Sequence, residues 1–202
     1  MAAWRNDEMS KAEWRTSLTA ARAALSLARR MSEADALVET LRGIALPDTV
    51  CCYVPFDTEP GSAACLDVLR ERGARVLLPV IVDLTSALEW AEYIGPETLS
   101  PGRLRGILEP RGPRLGPAAI ASAGLVLVPA LAVDRTGVRL GRGAGHYDRS
   151  LPHVTPGADL IAVVRDDELV DRLPAERHDV RMTGALTPSG GLIRLPAPIS
   201  RR

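Results

Sequence analysis

The 202-residue chain contains a single lysine, Lys11, against 24 arginines. Lysine plus arginine and aspartate plus glutamate number 25 each, so the formal charge is zero. A neutral chain lacks the global basic field that nucleic acid or an anionic membrane surface would select, and neither is expected as a partner. No apolar run approaches the ~18 residues that suggest a membrane span. Met1 to Arg15 lacks the apolar core of a secretory signal. There are three cysteines, and no Cys/His spacing of the metal-binding kind. Cys51 and Cys52 are adjacent and would face opposite sides of a strand. They read as buried, reduced thiols of a cytoplasmic protein. A Gly-x-Ser-x-Gly elbow and an evident Cys/His pair are both missing, so nothing points to a side-chain nucleophile. His153 and His178 are assigned no catalytic role, and His178 reads as a structural hydrogen-bonding residue. The P-loop's Gly-Lys-Ser/Thr and the dinucleotide-binding glycine fingerprint are absent too.

What the chain does have is the run Arg139-Leu140-Gly141-Arg142-Gly143-Ala144-Gly145-His146-Tyr147-Asp148, directly after the apolar segment Leu125 to Leu131. Alternating glycines let backbone N–H groups close around an anion. Arg139 and Arg142 can add charge-assisted hydrogen bonds to phosphate or carboxylate. At Asp148 two readings stand: a metal ligand beside a phosphate, or a cap for the following helix. The lone Lys11 opens a helix capped by Ser10 and Glu13, with Arg15 one turn on. A solvated basic face and an anion site are both open there.

Pro129-Ala130-Leu131-Ala132-Val133-Asp134, followed by Gly137-Val138-Arg139-Leu140-Gly141-Arg142-Gly143-Ala144-Gly145-His146-Tyr147-Asp148, resembles the signature of the 5-formyltetrahydrofolate cyclo-ligase family. The chain departs from it at Ala130, Val133 and His146, the last usually tyrosine. Leu173-Pro174-Ala175-Glu176-Arg177-His178-Asp179 resembles the family's C-terminal run, after which an aspartate is usual where this chain has Thr183. The resemblance implies ATP ligands at Lys11, Arg15 and residues 139–147 (Arg139, Leu140, Gly141, Arg142, Gly143, Ala144, Gly145, His146, Tyr147). It implies folate contacts from Val54, Glu59, Arg142 and His146, and magnesium on Asp148. A carboxylate at Glu59 suits a pterin, which offers paired N–H donors.

The periodicity predicts an α/β fold: one domain over residues 1–202, with a mainly parallel central sheet flanked by helices. Helices are expected over 10–30, with an apolar stripe of Leu18, Ala21, Leu25 and Ala28, then from about 32 to 41 and 62 to 72. Strands are expected at 50–54, 75–82, 125–128 and 159–164. Residues 83–117 read as a proline- and glycine-rich insertion with a short hairpin near Trp90. Trp90 and Tyr93 either stack on a flat ligand or pack the insertion down, packing being the commoner role. The tail after Gly190 reads as frayed. Ligands of such sheets bind beyond the carboxyl ends of the strands, so the loops after Val54, Ala130 and Val164 are expected to converge.

The resemblance implies ATP-dependent cyclisation of 5-formyltetrahydrofolate to 5,10-methenyltetrahydrofolate, with ATP and magnesium as co-substrate and cofactor. Two alternatives use the same loop: a non-catalytic nucleotide- or folate-binding homologue, and a phosphate-binding isomerase or CoA-transferase-like enzyme.

Overall fold

The computed structural model describes residues 9–176 and 179–196. Helix α1 (Lys11–Ala23) is followed by α2 (Leu27–Gly43), β1 (Thr49–Cys51), α3 (Ala63–Glu71), β2 (Arg75–Val80) and β3 (Glu89–Glu92). A small hairpin, β4 (Leu99–Pro101) and β5 (Leu108–Pro110), precedes β6 (Leu125–Pro129), β7 (Ala132–Asp134) and β8 (Arg139–Leu140). The chain then forms α4 (His146–Ser150), β9 (Asp159–Val163), β10 (Leu169–Val170), β11 (Gly184–Thr187) and β12 (Gly191–Arg194).

The main sheet has seven strands in the order β12-β11-β9-β6-β1-β2-β3. Its five inner strands are parallel, and β3 and β12 close the two edges in antiparallel fashion. Strand β6 (Leu-Val-Leu-Val-Pro) is buried on both faces through Val128, as expected for a central parallel strand covered on each side. One apolar layer joins α2 and α3 to the sheet through Leu37, Leu41, Leu66 and Leu69. The opposite layer is filled by Trp90, Ile120, Val126, Val128 and Leu151. Pro79 lies past the last β1 pairing, at Leu77, so its missing N–H costs no ladder bond on that side.

A second, three-stranded sheet (β10-β7-β8) carries α1 on its surface. Trp14 and Leu18 of α1 pack on Leu131, Val138, Leu140 and Val170. Asp134, fully buried, pins the β7–β8 turn. Its Oδ1 accepts from the N–H groups of Thr136 and Val138, and its Oδ2 from the N–H of Leu173. The turn over residues 134–137 is therefore held by its own aspartate.

Several elements differ from the sequence reading. The helix expected over 10–30 breaks at Ala24, and Ser26 caps a second helix that runs on to Gly43. A serine that accepts from the N–H three residues later starts a new helix more favourably than it continues an old one. The buried stripe of α1 is Trp14, Leu18 and Arg22, while Ala21 and Ala28 are exposed. Past Gly190, Gly191 to Arg194 are ordered by pairing with β11, and residues 197–202 lie outside the described residues. Trp90 and Tyr93 are buried, and the Tyr93 hydroxyl donates to Asp67, so they pack rather than stack on a ligand. His178 lies outside the described residues. Among the described residues no helix is long and apolar enough to cross a membrane.

Candidate active site

A cavity of about 750 Å³ opens at the carboxyl end of the central sheet. The loops after β1 and β6 reach it through Val54 and Ala130, whereas Val164 does not line it. Every residue assigned to ATP, folate or magnesium from the sequence lines this one cavity: Lys11, Arg15, Val54, Glu59, residues 139–147 and Asp148. Leu104, Ile107 and Leu108 of the β4–β5 hairpin close it from the insertion side.

The glycine loop runs from β8 into α4. Gly143 and Gly145 have φ of +104° and +73°, backbone regions that side-chain-bearing residues enter only with strain. Gly145 is itself the cap residue of α4, with no side-chain cap bond. The capping reading of Asp148 therefore fails. Its carboxylate instead receives Nη2 of Arg139 at 2.5 Å. Arg139 is also placed by the Pro129 carbonyl, at 3.4 Å, and by the Tyr147 ring beneath its guanidinium. Arg15, one turn into α1, donates Nε to the Gly141 carbonyl at 3.0 Å and so ties the helix to the loop. Lys11 Nζ lies 3.1 Å from Asp179 and 3.3 Å from Glu176, which brings the C-terminal acidic run to the same wall.

In the loop after β1, Glu59 accepts from the Phe56 N–H at 3.1 Å and pairs with Arg142 Nε at 3.3 Å. Burial pushes the Glu59 carboxyl above the usual glutamate range, against the pull of the Phe56 N–H and Arg142. Arg142 leans over the Phe56 ring and also approaches Asp57. It therefore bridges the glycine loop and the Glu59 loop. A loop fixed by Asp83, which accepts from Thr85 and Ser86, presents the Ser86 carbonyl to Arg149 Nε and to His146 Nδ1.

Three residues that line this cavity each carry one fully buried polar atom without a hydrogen-bond partner among the described residues: Arg22 Nη1, His146 Nε2 and the Tyr147 hydroxyl. The thiols offer no nucleophile there. Burial pushes Cys51 up to about 12 and raises Cys52 and Cys65 as well.

Thr183 is far from this constellation. Its N–H donates to the Leu160 carbonyl, and its hydroxyl accepts from the Leu160 N–H, near the start of β9 and so at the opposite end of the sheet. The position where an aspartate is usual in the family is thus a strand-bridging threonine. Glu176 and Asp179, not Thr183, are the residues of the C-terminal run that line the cavity. Arg22 escaped the sequence reading. The available signal was an arginine continuing the i, i+4 stripe of Trp14 and Leu18, where a charge has no place without a buried partner.

The family model described as the 5-formyltetrahydrofolate cyclo-ligase family matches residues 7–188. The chain belongs to that family. A 5-formyltetrahydrofolate cyclo-ligase of Mycolicibacterium smegmatis is 50% identical over 191 residues, covering 92% of this chain and 97% of that protein. A protein of the same name from Escherichia coli is 29% identical over 148 residues, 72% of this chain and 81% of that one. Among solved structures, the 5,10-methenyltetrahydrofolate synthetase of Aquifex aeolicus superposes with a TM-score of 0.75 at 26% identity. That superposition covers 96% of this chain and 97% of the other. The synthetase of Mycoplasma pneumoniae, at 20% identity and a TM-score of 0.68, shares the fold. Cyclo-ligase membership accounts for the ordered match that runs from the β6–β7 segment through the glycine loop.

Proposed function

We propose that this cyclo-ligase family member converts 5-formyltetrahydrofolate to 5,10-methenyltetrahydrofolate with conversion of ATP to ADP and phosphate, the whole chain acting as one domain. The observation that carries the reading is the polarity of the cavity. The glycine loop brings Arg139 and Arg142 to the cavity beside Arg15 and Lys11 of α1, and the loop after β1 brings a buried carboxylate, Glu59, that meets Arg142. The first suits a polyphosphate and the second suits a ring edge bearing adjacent N–H donors.

In the proposed chemistry the formyl oxygen attacks the terminal phosphorus, and ADP leaves. The neighbouring folate nitrogen, N10, then attacks the activated formyl carbon and gives up its proton. A C–N bond forms as the C–O bond to phosphate breaks, and phosphate carries the former formyl oxygen away. This sequence asks the protein for positioning and charge neutralisation rather than for a nucleophile. Lys11, Arg15 and the loop N–H groups are assigned to ATP phosphates. Val54, Glu59, Arg142 and His146 are assigned to the folate, with Arg142 reaching both ligands.

Magnesium fits one position. Asp148 offers a hard oxygen donor at the loop end with its side chain 41% exposed, so one carboxylate oxygen remains available beside Arg139. Among the described residues no cluster of three or more Asp, Glu, His or Cys forms a closed metal cage. Phosphate oxygens and water would complete the shell, as magnesium commonly prefers. When bound, the ion neutralises phosphate charge; the chain's own part is to hold Asp148 in place through Arg139. Three free, buried cysteines suit a reducing compartment, and a cytoplasmic setting belongs to this reading.

The test is stoichiometry. Steady-state ADP release should require 5-formyltetrahydrofolate and match formation of the methenyl product one for one. ADP release indifferent to the folate would overturn the reading.

A further inference from the structure

Residues 164–168, which follow β9, do not line the cavity, yet they hold both loops that do. Arg165 is 2% exposed and opens the short turn Asp166–Glu168. Its Nε donates to Glu33 of α2 at 2.7 Å, and its Nη1 donates to the Thr58 carbonyl at 3.0 Å. Its backbone N–H donates to Glu168 at 2.8 Å. Glu168 also receives Nε and Nη2 of Arg22 at 2.6 and 2.7 Å, and the same Nη2 reaches the Ala130 carbonyl at 2.6 Å. One buried carboxylate thus ties the loop after β6, through Arg22, to the loop after β1, through Arg165.

Thr58 immediately precedes Glu59. The peptide unit between them is bonded at both ends. Its carbonyl accepts from Arg165, and its N–H donates to the Phe56 carbonyl at 3.0 Å. Next to it Asp57 has a φ of +57°, the one positive φ of a non-glycine residue among the described residues. Backbone of that kind persists where its surroundings over-determine it. Arg165 supplies such a hold from 107 residues away, and Glu33 fixes its guanidinium. We infer that Arg165 is a positioning residue for the folate half of the site, holding the Thr58 carbonyl and so the backbone from which Glu59 meets the ligand. The inference rests on the functional reading above, in which Glu59 contacts the folate. Arg165 itself touches no ligand. A carboxylate placed before binding spares the ligand the cost of ordering the loop.

The test is Arg165→Gln. The glutamine amide nitrogen stands where Nε stood and can still donate to Glu33, but no atom extends on to Thr58. Calorimetry with 5-formyltetrahydrofolate and, separately, with ATP is run on the parent, Arg165→Gln, Glu59→Gln and the double variant. Arg165→Gln should weaken folate affinity about tenfold, the range of one hydrogen bond from a charged donor, and leave ATP affinity within about twofold. In the Glu59→Gln background the same change should cost less than about threefold, because residues that act through one another are not additive. If Arg165→Gln fails to fold, by thermal unfolding, the pair Arg165→Met with Glu33→Gln removes both charges together and enters the same cycle. Unchanged folate affinity in a folded variant, equal losses for folate and ATP, or a full tenfold loss in the Glu59→Gln background each overturn the positioning role alone. A parent that does not bind 5-formyltetrahydrofolate, or a Glu59→Gln variant that binds it as the parent does, overturns the functional reading of this wall and the inference with it.

Discussion

Lys11 and Glu59 both line the cavity, and each is paired with charged side chains. Lys11 is 18% exposed in its side chain and rests on Asp179 and Glu176. Partly exposed ion pairs contribute little, so Lys11→Met should change stability by less than about 1 kcal/mol. Loss of a phosphate partner should nevertheless raise the ATP KM about tenfold or more and leave folate affinity unchanged. Nucleotide titration by calorimetry checks this, and unchanged ATP affinity removes Lys11 from the site. Glu59 behaves differently because burial raises its carboxyl above the ordinary range. A carboxyl that is more basic in the folded state favours folding when protonated, and that contribution is lost as pH rises through the folded value. Once ionised, Glu59 therefore costs stability. Glu59→Gln is expected to unfold at the parent's temperature or above at pH 7, with the gap closing in acid, while folate affinity falls sharply. A variant that is less stable at pH 7 yet binds folate normally contradicts both parts. In the parent, folate affinity should begin to weaken on acidification at a higher pH than an ordinary glutamate would give.

The β8–loop–α4 element carries most of the site, and it was the most legible part of the sequence. Three glycines between arginines announce a backbone that must turn tightly against an anion, and Gly143 and Gly145 do take positive φ. A β-branched side chain at φ near +73° is strained, and a Cβ at Gly145 would lie 2.6 Å from Arg149 Nη1, so Arg149 must move. Gly145→Val should abolish ATP binding. Protection of the folded variant by ATP in thermal unfolding would show that the loop is not the phosphate cradle. Asp148→Asn keeps shape but removes the charge facing Arg139. Activity should drop and recover in part at raised magnesium, with unliganded stability lowered by about 1–2 kcal/mol, because Arg139 is buried and loses a charged partner. Full activity at low magnesium sinks the metal assignment. What the loop could not announce was its company. Arg22, Asp179 and Leu104 come from segments distant in sequence, and only packing brings them to the same wall. Arg22 in particular was hidden because its charge is offset by Glu168, a partner 146 residues away. The break between α1 and α2 was missed because helical periodicity continues through it, whereas the Ser26 cap is a local competitor that periodicity does not register.

Across the whole molecule, alternating strands and helices specified a parallel sheet, and the sheet placed the site, since the loops after β1 and β6 meet at its carboxyl edge while the segment after β9 stays outside the cavity lining. The antiparallel edge strand β12 was less legible, because Gly191 to Arg194 is short and gains its order only by pairing with β11. The second sheet matters more for function. It seats α1 so that Lys11, Arg15 and Arg22 reach one cavity from a single helix. The account's central claim is that this cavity brings a formyl oxygen to the terminal phosphorus of ATP. The most direct measurement is a turnover with 5-formyltetrahydrofolate carrying ¹⁸O in its formyl group, followed by mass analysis of the released phosphate. The account predicts one labelled oxygen in the phosphate for each methenyl product formed. Unlabelled phosphate, with the label recovered in water, would contradict it.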